Sequence, residues 1–520
     1  VRLHTWLALG ILSTACAGAK KDQGSTRASA VEVPAATPAP PQTDEPATTT
    51  PPPAPRPRGS RTIGECPDKS AVARFTVAHL NDMQARYSDR LAGKSRYAYI
   101  GGWLRQLKKQ QPATIVLDAG DDYEKGAIAE LRSMGETTRQ MIQALPIDAR
   151  TIGNHDFAYG EQAVLRDVMM SDHPVLAANV RRAGVADNEQ PFERFVRFDV
   201  GCVRVGIVGL VTQNFGADDL PTKAPYDGVF EQDARYVQVL TREVAKHRSE
   251  VDVLVALTHL GLWDDSAIAT VRGVDLVVGA HTEDLLSHPI SVAHPDGSKT
   301  WVVQAGHFGK TLGRADLAFD PKDKKLSLEK YRIVEVDSSM PVDEDVAVLA
   351  DRLEKETTPD AQNTIANAKS SIERKEMPSL MFRAAQDTWS ADALVVGKDL
   401  FWEGLPKGAI TLQRMYDSVL VQRQPAGTSG FSSIWIVEMS GVELAKYKAR
   451  IRSGGMYEMF SPSRIDPKKT YKLAMDKRVY TYPRTIFGDT KIGEGVYAGE
   501  MIDALEAYGR ARTAAGKTLD

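Results

Sequence analysis

The sequence predicts an α/β fold with buried sheets, on three observations. Short, near-continuous runs of Val, Ile and Leu recur between residues 73 and 335, the composition of strands covered on both faces. Stretches of helical period separate them. Polar residues able to do chemistry fall just past the ends of these runs, where open α/β sheets bind ligands. The chain has 520 residues, of which 42% are hydrophobic and 26% charged; that is ample for packed cores and excludes wholesale disorder. The length suggests ~two to four domains. A net charge of −3 argues against binding a nucleic-acid polymer by bulk attraction. Past residue 20 there is no apolar run of the ~18 residues needed to cross a bilayer, so a multi-pass membrane protein is excluded.

Taken in order, the chain opens on Arg2, the apolar run Trp6–Leu12 and the small residues Ser13-Thr14-Ala15 before Cys16. Charge, short apolar core and small-residue cleavage site make a secretory signal too short to span a membrane. The cysteine after Ala15 resembles that of a bacterial lipoprotein, with Ser13 where such signals usually carry Leu; the alternatives are plain secretion and a chance apolar terminus. Lipidation at Cys16 would place the protein in the periplasm or at the cell surface, anchored to the membrane by that lipid alone. Cys66 and Cys202 then remain, either as a disulfide in an oxidising compartment or as two thiols. Residues 19–62, rich in Pro, Ala and Thr, bury almost nothing and read as an extended tether.

Strands are expected at 73–80, 114–118, 202–209, 251–258, 274–278 and 301–304, with helices at 137–145 and 233–247. From about 336 to 375 a polar segment reads as helical, at 343–354 and again at 361–374, before a second globular unit. Five polar clusters follow successive strands: His79-Leu80-Asn81-Asp82-Met83-Gln84, Asp118–Asp122, Gly153-Asn154-His155-Asp156, Thr258-His259 and Gly279-Ala280-His281-Thr282-Glu283. One such cluster alone is more often a hydrogen-bonded loop. Five in succession offer the Asp, Asn, Gln, Glu and His ligands of a divalent-metal site, and a carboxylate shared between two cations would make a two-metal centre for displacement at phosphorus.

The run Asp82-x-Gln84, Gly120-Asp121, Gly153-Asn154-His155-Asp156, His259 and Gly279-Ala280-His281-x-Glu283 resembles the calcineurin-like metallophosphoesterases, and more narrowly their exported 5′-nucleotidase/UDP-sugar hydrolase branch. The resemblance is specific from about 73 to 335 and looser from 376 to 520. It implies a four-layer α/β/β/α catalytic domain followed by a smaller α+β domain like the C-terminal domain of 5′-nucleotidases. The organisation expected is a signal at 1–15, a lipidated cysteine and tether at 16–68, the metallophosphoesterase domain at 69–338, a helical connector at 339–375 and the C-terminal-like domain at 376–520.

The resemblance also implies two divalent metal ions (Mn, Zn, Fe, Mg or Ca) bridged by Asp121. Asn154, His259 and His281 complete one site. Asp82, Gln84 and Glu283 complete the other, where Gln84 and Glu283 depart from the family's ligands and leave an all-oxygen set suited to harder or weakly held ions. His307 either supplements that set or is a loop histidine. His155 keeps the catalytic position, beside Asn154. The nucleotidase branch orients this histidine with a carboxylate at the position of Ala158, so a weakened acid role is expected. Asp156 occupies a neighbouring position. A phosphate-contacting Arg of the family is Trp402 here, and Phe401, Trp402, Tyr480 and Tyr482 either line a replacement base pocket or serve as core and surface aromatics. The expected function is hydrolysis of nucleotides, other phosphate monoesters or diphosphate-linked sugars; the alternative is a non-catalytic metal- or ligand-binding lipoprotein of the same descent.

Overall fold

The computed structural model describes residues 61–124, 126–212, 229–420, 432–451, 455–488 and 492–520. Cys16, the signal and most of the tether lie outside the described residues. The described residues fall within one compact unit, Pro55–Asp520.

Two sheets face each other. The first has six strands in the order Lys325–Glu335, Thr311–Asp320, Ala73–Leu80, Thr114–Asp118, Ala149–Thr151 and Val175–Leu176. The second has seven, in the order Thr62–Ile63, Phe195–Val200, Val203–Val211, Val253–His259, Leu276–Val278, Lys299–Val303 and Ile290–Ala293. The central strands of each are parallel. Alternation sets the layers: in the strand Val253–His259, Val253, Val255 and Leu257 meet Val77, Ile115 and Leu117 of the other sheet, while Leu254 and Ala256 pack outward on Leu240, Val244 and Ile268. In Ala73–Leu80, Ala78 and Leu80 pack on the opposite outer layer with Ile100, Leu104 and Met141. Both faces of these strands are therefore apolar, which is why they read as continuous hydrophobic runs. Helix, sheet, sheet, helix are the four layers expected.

The register lines up the carboxyl ends of the parallel strands. Leu80 pairs with Asp118 and Leu117 with Ala149 in one sheet; Val211 pairs with His259 and Leu257 with Val278 in the other. Every polar cluster singled out above leaves from this edge. Cys66 and Cys202 are joined by a disulfide, their Cα atoms 4.5 Å apart, which ties the segment between Thr62–Ile63 and Ala73–Leu80 to the turn Gly201–Cys202.

The segment expected to be a helical connector divides. Glu344–Thr357 is a helix capped by Asp343, and its Val346, Ala350 and Leu353 complete the outer layer of the six-stranded sheet. Its second half is not helical: Thr364–Ala368 is a strand paired antiparallel with Gly408–Thr411. Tertiary pairing overrides local preference here, because Ile365 and Ala366 are buried under the last helix, Met501–Ala514. A five-stranded sheet follows, in the order Tyr457–Phe460, Ala393–Gly397, Thr470–Asp476, Ser433–Ser440, Val496–Glu500. The helices Met377–Trp389 and Met501–Ala514 cover one face and Gly441–Arg450 the other. The first of these cores runs on into the N-terminal half, taking in Tyr123, Ile128, Leu131, Ala158 and Tyr159.

The disulfide closes a loop of 136 residues. Replacing both cysteines by Ala should lower unfolding stability by about 2–5 kcal/mol, because the long loop is then free in the unfolded chain. Urea titrations of the wild type with and without reductant, beside the double variant, check this; coincident midpoints would contradict it.

Candidate metal centre

The first polar loop is built on Asn81. Its amide donates to Asp82 Oδ2 and to the carbonyl of Gly306, both at 2.6 Å, and its Oδ1 accepts from Ala305 N at 3.0 Å. One side chain thus fixes both the Asp82 carboxylate and the loop carrying His307. Backbone bonds from Asp82, Gln84 and Ala85 to the carbonyls of Gly120, Asp121 and Asp122 zip this loop to the second.

Asp121, His259 and His281 converge, one ligand atom from each lying within 4.8 Å of the others. His259 is fully buried; its Nδ1 lies 2.8 Å from the carbonyl of Ala119, so that nitrogen donates and Nε2 is turned 3.1 Å from Asp121 Oδ2. Asn154 Oδ1 lies 3.0 Å from His281 Nδ1. Gly153 makes the approach possible: a Cβ there would sit 2.0 Å from Asp121 Oδ1 and 2.6 Å from the His259 ring.

On the other side of Asp121, Gln84 donates its amide to Glu283 Oε1 at 3.1 Å, and His307 Nδ1 lies 3.2 Å from Glu283 Oε2. Asp82 Oδ1, Gln84 Oε1 and His259 Nε2 are buried without a hydrogen-bond partner. Buried polar atoms are rarely left so, and three oxygen or nitrogen acceptors around one carboxylate fit cations. Burial pushes the Asp82 carboxyl up to about 7, with Asp121 and Glu283 adding like charge, a cost that a cation would offset. Asp82, Gln84, Asp121, His281 and Glu283 all have positive φ, between 45° and 80°. Left-handed backbone at non-glycine residues costs energy and gathers at functional sites.

The structure corrects the expectation that His155 has lost its orienting carboxylate. Ala158 is indeed apolar and buried against the C-terminal half. Glu124, three residues past Asp121, instead brings Oε2 to 2.5 Å from His155 Nδ1, both side chains being buried. Glu124 is placed by Glu130, whose Oε1 accepts its backbone N–H at 2.6 Å. His155 Nε2 then faces Asp121 Oδ2 at 3.9 Å. Asp156 points the other way, accepting the backbone N–H groups of Asp121 and Asp122 at 3.0 Å and that of Gly153. The signal for Glu124 was in the sequence: a further carboxylate, after Asp121 and Asp122, in the same loop. Asp156 gave no such hint, because an acid beside a catalytic histidine reads equally as its partner.

Of the candidate base-stacking aromatics, Phe401 is fully buried core. Tyr480 stacks on Trp435 with ring centroids 4.6 Å apart, and Trp402 stacks on Phe308 at 5.1 Å.

Residues 75–283 match the family model of the calcineurin-like phosphoesterases. The chain is 30% identical over 305 residues to human 5′-nucleotidase, covering 53% of this chain and 51% of that one. It is 30% identical over 308 residues to the snake venom 5′-nucleotidase of Naja atra, covering 53% and 56%. The chain therefore spans about half the length of the curated relatives it matches. Among solved structures, the 5′-nucleotidase precursor of Thermus thermophilus superposes with a TM-score of 0.67 at 19% identity, over 84% of this chain and 96% of that one. The sulfate thiohydrolase SoxB of Thermus thermophilus superposes with a TM-score of 0.62 at 16% identity, over 89% and 95%. At these identities the structures establish a shared fold.

Burial pushes the Glu130 carboxyl from the usual carboxylate range up to about 8. A raised acid pKa means that the fold favours the protonated form, so this group's share of stability falls as pH rises from about 4.5 through 8. Glu130→Gln keeps the acceptor for Glu124 N and removes the titration. Between pH 5 and pH 8 it should lose less stability than the wild type, by on the order of a few kcal/mol. Denaturant titrations at the two pH values measure this, and parallel losses would refute the assignment.

Proposed function

We propose that this chain is an exported metal-dependent phosphoesterase, acting on phosphate monoesters, nucleotides or diphosphate-linked sugars at a two-metal centre. The observation that carries the reading is the convergence of Asp121, His259 and His281 around a common point, with His155 held beside it by a buried carboxylate. Asp121, Asn154, His259 and His281 would hold one cation, and Asp82, Gln84, Asp121 and Glu283 the other. When bound, the two ions would polarise the phosphoryl oxygens and make water a stronger nucleophile. The disulfide supports the exported compartment, where lipidation at Cys16 would tether the protein.

The chain's own groups have definite tasks in this reading. Asn154 Nδ2 is a buried amide without a hydrogen-bond partner and is free to donate to a phosphoryl oxygen as its negative charge grows. His155 keeps its Nδ1 proton on Glu124, which leaves Nε2 to deliver a proton to the departing ester oxygen. In hydrolysis the oxygen of water joins phosphorus, the ester P–O bond breaks, and the leaving oxygen takes up that proton. The Glu124 carboxylate steadies the imidazolium that must form first. Its presence supports catalysis over the non-catalytic alternative, which drew part of its case from an unpartnered histidine.

Elemental analysis after equilibration with Mn²⁺, Zn²⁺, Ca²⁺ or Fe²⁺ should find two ions per chain for at least one metal, and one fewer in His281→Ala. With that metal, phosphate release should fall about 10²–10³-fold in Asn154→Ala, the usual cost of losing one charge-stabilising donor. Full activity in Asn154→Ala would sink the proposal.

Glu124→Ala should lower kcat roughly 10²-fold on alkyl phosphates and far less on 4-nitrophenyl phosphate, whose leaving group needs no proton. Equal losses on both would mean that Glu124 only holds the loop in place.

A further inference from the structure

Beside Glu283 and His307 the structure holds a cavity of about 420 Å³, walled by both halves of the chain. Its floor is unusual. Arg86, two residues past Gln84, is only 6% exposed, and its guanidinium carbon lies 4.4 Å from the ring centre of Phe308 and 4.8 Å from that of Trp402. The only carboxylate within ion-pair range among the described residues is Asp89, at 3.9 Å, and Arg86 Nε has no hydrogen-bond partner. A buried arginine held by two aromatic faces is oriented, and neither Asp89 nor Asp417 makes a close bidentate pair with it.

The rest of the wall carries both signs of charge. Lys310 and Arg374 line the same cavity; among the described residues neither has a carboxylate within ion-pair range, and Arg374 Nε donates to the carbonyl of Phe401. Two of the acids that also line it are engaged by arginines, Asp399 by Arg478 and Glu403 by Arg414. A third, Asp417, is pushed up to about 6 by burial and drawn back toward ionisation by the Arg86 guanidinium, so it stays an acidic neighbour of that arginine. The aromatic pair, by contrast, offers no slot. Phe308 and Trp402 lie 5.1 Å apart, centroid to centroid, with 23° between their planes. A base inserted between two rings needs about 7 Å, two van der Waals contacts of ~3.5 Å.

We infer that the substrate is a compact phosphate ester bearing a second anionic group, a carboxylate or another phosphate, and that Arg86, Lys310 and Arg374 bind that second group. This rests on the phosphoesterase reading above and narrows it: the scissile phosphate sits at the Glu283 end and the second anion at the Arg86 end. A guanidinium fixed in plane recognises either oxyanion in bidentate fashion. Trp402 stands where the resemblance places a phosphate-contacting arginine, so Arg86, reaching in from the catalytic half, supplies the positive charge on that side.

The test compares two unhydrolysable probes by titration calorimetry on the metal-loaded full chain: phosphonoacetate, with two anionic groups, and methylphosphonate, with one. Phosphonoacetate should bind at least tenfold more tightly, and AMP, titrated as its unhydrolysable 5′-methylenephosphonate analogue, no more tightly than methylphosphonate. Arg86→Gln should bring the ratio of the two phosphonates to within about twofold. Because Arg86 is buried, Lys310→Ala and Arg374→Gln are measured beside it, each expected to cut the ratio about threefold. Equal affinities in the wild type, a ratio unchanged in all three variants, or tighter binding of AMP than of phosphonoacetate would overturn the inference. Hydrolysis of 4-nitrophenyl phosphate by the wild type is scored separately. Its absence would count against the phosphoesterase reading while the binding ratio still decides what the cavity holds.

Discussion

The carboxylate of Asp156 is the knot on which the site depends. It receives three backbone N–H groups, from Asp121, Asp122 and Gly153, and so binds the loop after one parallel strand to the loop after the next. Beneath it lies Arg150, 1% exposed, which faces Asp122 at 3.5 Å and also pairs with Asp167. Burial pushes Asp156 up to about 6, and Arg150 pulls it back toward ionisation. A buried carboxylate is costly alone; satisfied by three donors and a cation, it becomes a rigid fixture. Each N–H left without it would cost about 1–3 kcal/mol.

That rigidity has a use. Asp121 and Asp82 are held at φ 58° and 51°, and each such residue stores about 1–3 kcal/mol of strain. Unsupported loops would relax and spread the ligands. Here the inter-loop ladder from Asp82, Gln84 and Ala85, the Asn81 clamp on Gly306 and the Asp156 knot together over-determine the backbone. Carboxylates that repel one another are kept close, ready for a cation to neutralise them. Energy put into packing the two sheets is in this way converted into a preorganised set of polar side chains.

The layered fold was legible because its signals are local. Strands buried on both faces must be apolar throughout, and ligands at their carboxyl ends must fall in the next few residues, so one pass along the chain finds both. What escaped depends on distance in sequence. Glu124 and His155 are 31 positions apart, and Arg86 and Trp402 are 316 apart; only the folded loops bring them together. The strand Thr364–Ala368 escaped for the same reason. Its partner Gly408–Thr411 lies some forty residues on, and an alanine-containing segment read alone favours helix. Correspondence by position with the related enzymes misled at Ala158, since it asks whether a residue is kept and not whether another has reached the same space.

The substitutions at Ala158 and Trp402 share one logic. Ala158 and Tyr159 belong to the apolar core formed with the C-terminal half, and Trp402 packs on Phe308 of the catalytic half. A carboxylate at 158 would have to be buried in that apolar contact, at a cost of several kcal/mol unless paired. With Glu124 as the histidine's partner, position 158 is left to serve as packing surface, and a guanidinium role at Arg86 would leave position 402 likewise. In both places a polar duty passes to a loop of the catalytic half, and the interface gains an apolar side chain. The two halves are then joined by a continuous hydrophobic core, while Asp121, Glu124 and His155 all come from loops of the N-terminal half. An interface of that composition favours one fixed arrangement of the halves over the looser, more polar contact of domains that swing.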